Sequence, residues 1–429
     1  MYVQYSKADE NRTCGVACGI KRTNYLRMKY IVILGDGMAD EPIAALGDKT
    51  PIQAADTPYM DKLAAMGSCG QLETVPKGFQ PGSEIANMSL LGYNVRTDFE
   101  GRGSLEAASM GVVLQPGDMA MRCNIICIEN NKIKNHSAGH ISNEEAAELV
   151  HFLDKELGSD TVKFYEGISY RHLLVMKGGN KHVLCTPPHD VPGTPFRDVM
   201  VKAEIPEAQA TANELNSLIL RSQKLLANHP VNLKRIAAGK DPANSIWPWS
   251  AGYKPAMKTL MQQFPQIHTG SVISAVDLIK GIGIYAGLES IEVEGATGLY
   301  DTNYEGKAQA AIDELRKKDF VFLHVEASDE AGHEGDYALK VKTIEYLDRR
   351  IVGPVYEAVK DWDEPVTIAV LPDHPTFCRT KTHAARPVPF LIYKPGAKPD
   401  SVQKYDEFSV KKGAYGIMKD NEFIKAVFE

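Results

Sequence analysis

The sequence predicts an α/β protein: a parallel-sheet core with helices on both faces, carrying a large inserted α+β domain. Continuous apolar, β-branched runs at residues 30–34, 319–326 and 366–371 have the texture of strands buried on both faces. Helical patterns alternate with them, for example at residues 57–67 and 337–359, as a parallel sheet requires. At 429 residues the chain exceeds the size at which a single hydrophobic core stops growing, so a second domain or a large insertion is expected.

Taken in order, residues 1–27 are polar and mixed in charge, and read as a tail or a mis-assigned start. The Cys14 and Cys18 pair within them does not make a metal site. Met28 opens the first strand, which ends at Gly35-Asp36-Gly37. Thr57 is placed to cap the following helix, with Pro58 at its first position. A further strand is expected at residues 388–393. The middle differs in texture, with strands at 120–129, 172–176 and 182–185 and a long helix at 207–229. We assign residues 28–117 and 254–429 to the core and residues 118–253 to an inserted, substrate-binding domain. The crossings fall near 114–118 and 252–259. No internal repeat is present.

Net charge is −7, with Lys and Arg spread along the chain, which excludes a nucleic-acid footprint or a membrane-surface patch. No apolar run approaches the ~20 residues of a membrane span. Seven cysteines, an odd and scattered set, fit a reduced, cytoplasmic protein acting on a small molecule. Oligomeric state is not legible.

The chemistry concentrates at strand ends. Asp329 and His333, four residues apart, share one face of a helical turn, and a carboxylate-imidazole pair suits Mn²⁺ or Zn²⁺. Asp373-His374 closes the strand at 366–371, His383 follows, and Asp36 closes the first strand. Open α/β sheets bind ligands at the carboxyl ends of their strands, so these segments converge on one edge. Ser83 lies in the turn Pro81-Gly82-Ser83 leading into a helix. Alone it reads as an N-cap. Beside the metal ligands it reads as a nucleophile facing the helix's positive end. Asn87, one turn on, is placed to donate to a phosphoryl group, and Arg102 to form a fork on phosphate or carboxylate.

These residues together, with Gly101-Arg102-Gly103, resemble the alkaline phosphatase superfamily and, more closely, the archaeal-type cofactor-independent phosphoglycerate mutases. The resemblance runs from Met28 nearly to the end. It implies one metal on Asp329, His333 and His383 and another on Asp36, Ser83, Asp373 and His374. The ions would be Mn or Zn, with Mg or Co as alternatives. It also implies that Ser83 takes the phosphoryl group and passes it on.

The insert departs from that family pattern. Where archaeal-type mutases carry an arginine-rich string, this chain has Asn135-His136-Ser137-Ala138-Gly139-His140-Ile141. A zwitterionic amino-acid alcohol needs fewer cations than phosphoglycerate, and His136, Ser137 and His140 could meet it. The sequence therefore favours a kinase transferring phosphate from ATP to homoserine, in threonine biosynthesis, resembling a bacterial subgroup of this branch. A phosphoglycerate mutase is the alternative and a plain phosphatase the third reading. No P-loop is present to hold the nucleotide. Arg171 and Lys280 are the expected anion contacts, while Trp247 and Trp249 read as core packing.

Overall fold

A computed structural model describes residues 28–429, so the assignment of residues 1–27, with Cys14 and Cys18, lies outside the described residues. The core is an eight-stranded sheet in the order Glu289–Ile291, Gly270–Ile273, Phe320–Val325, Lys29–Gly35, Val366–Leu371, Val388–Tyr393, Ser68–Leu72, Gly416–Met418. The first five strands are parallel, as the apolar runs predict. Val388–Tyr393 then runs antiparallel to Val366–Leu371. An antiparallel return needs no crossover helix. The short connection between these two strands instead carries Asp373, His374 and His383.

Register brings the chemistry to one level. Gly35 stands opposite Val325, and Leu34 opposite both His324 and Leu371. The residues that follow, Asp36, Glu326 and Asp373, therefore leave the sheet at the same edge. All three central strands are buried along their whole length.

Residues 118–252 build a second, five-stranded sheet around the long strand Asp118–Glu129, which pairs with Lys132–Asn135, Arg171–Lys177 and Ser245–Gly252. Helices Asn143–Leu157 and Gln209–Leu226 pack with it in a hydrophobic core of their own. The second helix stops earlier than its pattern suggests because His229 begins another, its Nδ1 accepting from the Val231 N–H, with Pro230 at the first helical position.

Helix Arg102–Ser109 sits between the two sheets. It packs on Asp277–Tyr285 of the core and on Asp118–Glu129 of the insert. Both contacts are backbone-close: a Cβ on Gly281 would lie 2.0 Å from the Leu105 carbonyl oxygen, and one on Gly103 2.6 Å from that of Ala120. No larger residue fits either position.

The pattern at 337–359 is not one α-helix. Tyr337–Leu347 and Gly353–Val359 are joined by a π-turn at Asp348–Val352. The Asp348 carboxylate accepts from the N–H groups of Tyr59 at 3.2 Å and Met60 at 2.7 Å. It thus caps the helix expected to be capped by Thr57, whose side chain makes no such bond. Among the described residues no helix is long and apolar enough to cross a membrane.

One buried ion pair ties the site loops from behind. Lys340 Nζ donates to Asp40 Oδ2 at 2.9 Å and to the carbonyls of Ala39 and Thr376, with both charged side chains fully buried. Removing one partner of such a pair leaves an uncompensated buried charge. Lys340→Ala should therefore lose about 3–5 kcal/mol in a denaturant melt.

Candidate active site

Ser83 is the first residue of helix Ser83–Leu90, and Gly82 occupies the N-cap position with no side-chain cap bond. The serine hydroxyl is therefore not spent on capping. Its Oγ lies 3.2 Å from His374 Nε2. Free N–H groups at this helix start favour an anion there.

Asp373 is held by three donors: the N–H of Gly37 at 3.1 Å and of His374 at 2.8 Å on Oδ1, and Asn87 Nδ2 at 2.9 Å on Oδ2. Asn87 Nδ2 also donates to the Ser83 carbonyl at 2.9 Å. Its donors thus brace Asp373 and the helix turn. Gly37, at φ 61°, allows this approach. A Cβ there would lie 2.5 Å from Asp329 Oδ1.

Asp36 is buried at the end of the first strand. His324 Nε2 meets its Oδ2 at 2.9 Å, while its Oδ1 is buried without a partner, 3.6 Å from His374 Nε2. Asp329 faces two imidazoles, His333 Nε2 at 3.2 Å and His383 Nε2 at 3.4 Å. Those two nitrogens are 2.9 Å apart. Each ring's Nδ1 faces a backbone carbonyl, Lys381 for His333 and Pro81 for His383, which aims both Nε2 atoms at Asp329. A cation, proton or metal, must sit between them. Donor atoms of Asp329, His374 and His383, and of Asp36, Asp373 and His374, lie within 4.8 Å of one another, so His374 belongs to both groups. Its ring stacks on His383 at 3.9 Å.

The electrostatics follow from crowding. Burial, then the charges of Asp373 and Asp329, push Asp36 well above the usual carboxylate range. Burial also works to raise Asp329, but hydrogen bonds from His333 and His383 hold it well below that range. The Asp329 hydrogen bond in turn raises His333 to about 9. Burial, with Asp329 and Glu330 nearby, lifts Glu326 to about 8.

Sequence reasoning missed four residues here. His324 is buried near the end of its strand, its ring facing Asp36. Thr376 joins the two ligand groups, its Oγ1 bonding Asp329 Oδ1 and lying 3.3 Å from His374 Nδ1. Lys307 is buried with its Nζ on the His324 carbonyl, and burial lowers it to about 8. Arg122 is the fourth. Its guanidinium lies 4.7 Å over the Trp249 ring, and that of Arg102 lies 6.0 Å from the same ring. Arg122 Nε is 3.2 Å from Glu106 Oε2 but out of line for a hydrogen bond, and Arg102 Nε is likewise buried without a partner. Arg171 covers Tyr170, which meets His136 edge-on, and His136 in turn meets His189. The field of Arg171 reaches Glu330 on the core. The insert therefore presents a basic, aromatic-backed surface. Trp249, read as packing, is buried and also props its arginines.

The remaining expected contacts fare differently. Lys280 bonds both oxygens of Glu292 at 2.7 and 2.9 Å. His140 is exposed, and its field reaches His136.

A model of the 2,3-bisphosphoglycerate-independent phosphoglycerate mutase family matches residues 64–232. A relative of that name from Methanosarcina acetivorans is 53% identical over 92% of this chain and 98% of its own length. A solved structure of a Pyrococcus horikoshii protein covers 94% of this chain and 97% of its own, at TM-score 0.80 and 31% identity. A cofactor-independent phosphoglycerate mutase from Thermoplasma acidophilum covers 93% and 98%, at TM-score 0.66 and 26% identity. The protein is thus an enzyme of the metal-dependent phosphotransferase class. Within it, the chain belongs to the 2,3-bisphosphoglycerate-independent phosphoglycerate mutase family.

These relatives overturn the expectation of a homoserine kinase, and with it the kinase subgroup, threonine biosynthesis and ATP. The physical reason is where the positive charge resides. The absence of arginine at residues 135–141 was read as a site with few cations, but Arg102, Arg122 and Arg171 come together from other segments.

The raised His333 has a consequence for the metal-free protein. Its folded value, about 9, exceeds the ordinary 6.5, so the native state binds that proton more tightly. The stabilisation is complete below pH 6.5 and is lost as pH rises through 9. With the side chain 36% exposed, screening reduces it to about 1 kcal/mol. Urea melts in chelator at the two ends of this window should differ accordingly, and His333→Asn should flatten the difference.

Proposed function

We propose that the protein interconverts 3-phosphoglycerate and 2-phosphoglycerate, a step of glycolysis, with Ser83 Oγ carrying the phosphoryl group in transit. One observation supports this most. A serine at a helix start lies among carboxylates and imidazoles, and Arg102 of the core and Arg122 of the insert each keep a buried Nε–H without a hydrogen-bond partner. Phosphoglycerate brings a phosphate and a carboxylate, and guanidinium forks match both.

The donor set fits two divalent cations. Asp36 Oδ1 is orphaned in a buried, acidic setting, and the Nε2 atoms of His333 and His383 converge on Asp329. Asp329, His333 and His383 would hold one ion, and Asp36, Ser83, Asp373 and His374 the other. The mixture of carboxylate and imidazole suits Mn²⁺, Zn²⁺ or Co²⁺ better than Mg²⁺. Such ions, when bound, supply positive charge to the phosphoryl oxygens and ease loss of the serine proton.

The chain's own groups do the rest. Ser83 Oγ bonds to phosphorus as the substrate's P–O bond breaks, and the reverse sequence at the neighbouring hydroxyl restores the serine. The N–H groups of helix Ser83–Leu90 stabilise charge on the phosphoryl group. Arg102, Arg122 and Arg171, with His136 and His189 beside them, retain the glycerate between the two transfers. Isomerisation leaves every atom within one molecule, so no nucleotide is needed.

Purified protein with Mn²⁺ should convert 3-phosphoglycerate to 2-phosphoglycerate, followed by phosphorus NMR, and should make no ADP from ATP and homoserine. Ser83→Ala should abolish turnover, and undiminished activity would remove Ser83 from the reaction. Arg122→Met should lower kcat/KM about 10–100-fold, mostly through KM, as loss of charge-assisted hydrogen bonds worth ~1.5–3 kcal/mol implies.

A further inference from the structure

We propose that Ser274 and His324 are a positioning pair that selects which oxygen of Asp36 faces the cation site. The inference rests on the reading of Asp36, Ser83, Asp373 and His374 as one such site.

His324 is a polar residue next to the end of a strand whose other side chains are aliphatic or aromatic, and it is fully buried. Its two ring nitrogens are both engaged. Nε2 lies 2.9 Å from Asp36 Oδ2, and Nδ1 lies 3.2 Å from Ser274 Oγ. With a cation bound at Oδ1 the Asp36 carboxylate would be ionised and have no proton to give, so Nε2 would carry the hydrogen between them. In the neutral ring Nδ1 is then a bare acceptor. The Ser274 hydroxyl is the donor it meets, and Ser274 Oγ itself accepts from the Val276 N–H at 3.0 Å. The order of donation is Val276 N–H to Ser274, Ser274 O–H to His324, and His324 Nε2–H to Asp36. Each link fixes the next, so the imidazole is held in one tautomer and one orientation.

The result falls on Asp36. Its backbone carbonyl is held by Ser328 Oγ at 2.6 Å, and its Oδ2 is taken by His324. Oδ1 alone remains, buried, without a partner, and on the side of His374. A carboxylate pinned in this way offers one oxygen to a cation instead of two. This keeps coordination positions free for Ser83 Oγ and for an oxygen of the substrate. Losing the pin would let both oxygens of Asp36 chelate the ion or let the carboxylate turn away. Partners of this kind, bonded to a ligand but not to the metal, set affinity and geometry in other metal sites.

The test reads metal binding rather than turnover. Mn²⁺ would be titrated into the metal-free protein, with the free ion followed by paramagnetic resonance, and the visible band of the Co²⁺-loaded protein would be recorded. Wild type should bind two ions. His324→Leu, which keeps bulk and removes the donor, should weaken one of them about 10–100-fold and leave the other unchanged. Its Co²⁺ band should lose intensity as coordination number rises. His324→Asn, with a shorter donor, should recover part of the affinity, and Ser274→Ala should give an intermediate loss. Wild-type affinity and an unchanged Co²⁺ band in His324→Leu would overturn the inference. Should that variant not fold, the same wild-type result in Ser274→Ala, which deletes one oxygen, would overturn it. A wild-type protein that binds a single ion would instead overturn the two-cation reading on which the inference rests.

Discussion

The structure is organised around a concentration of negative charge that it cannot tolerate alone. Asp36, Asp329 and Asp373 are buried together at one edge of the sheet. In a low-dielectric setting such groups repel by several kcal/mol unless cations or donors balance them. Everything adjacent does part of that balancing. Imidazoles aim their ε-nitrogens inward, and backbone N–H groups and Asn87 cover Asp373. The remaining demand for positive charge is one that a divalent ion would answer under the proposed function, and the parallel register of three strands is what brings the carboxylates to the same level.

The insert supplies the complementary half. Its arginines lean on Trp249 and Tyr170, and Arg122 also lies 3.2 Å from the Glu106 carboxylate. Under the proposed function a negatively charged substrate would meet cations held by the acids on one side and guanidinium groups on the other. The charge of phosphoglycerate matches this division better than a zwitterion does.

Much of this was legible in the sequence, and the misses share a cause. The apolar runs announced the sheet, and the acids and histidines at their ends announced the site. What the sequence concealed were charged or polar residues inside strands. His324 and Arg122 sit in runs read only for their hydrophobicity, so their polarity was counted as noise. A charged residue in a strand buried on both faces is a strong sign of a built polar site, because nothing else offsets its desolvation. Asn87 and Lys280 show a different limit: their types suit an anion, but which nearby acceptors, Asp373 and Glu292, share their donors is visible only in three dimensions. The arginines come from residues 102, 122 and 171, so no contiguous string reveals that the fold gathers them.

Helix Arg102–Ser109 has a bearing on how this enzyme would be re-engineered. By sequence it precedes the insert, yet its glycine contacts seat it against helix Asp277–Tyr285 of the core and against strand Asp118–Glu129 of the second sheet. A chimaera joined at Gly117 would leave the incoming sheet seated against a foreign helix and would separate Arg102 from Trp249, while one joined near Glu100 would set a foreign helix against Gly281. The seam between the two sheets is therefore a helix with two fixed faces, and a graft would have to match one of them.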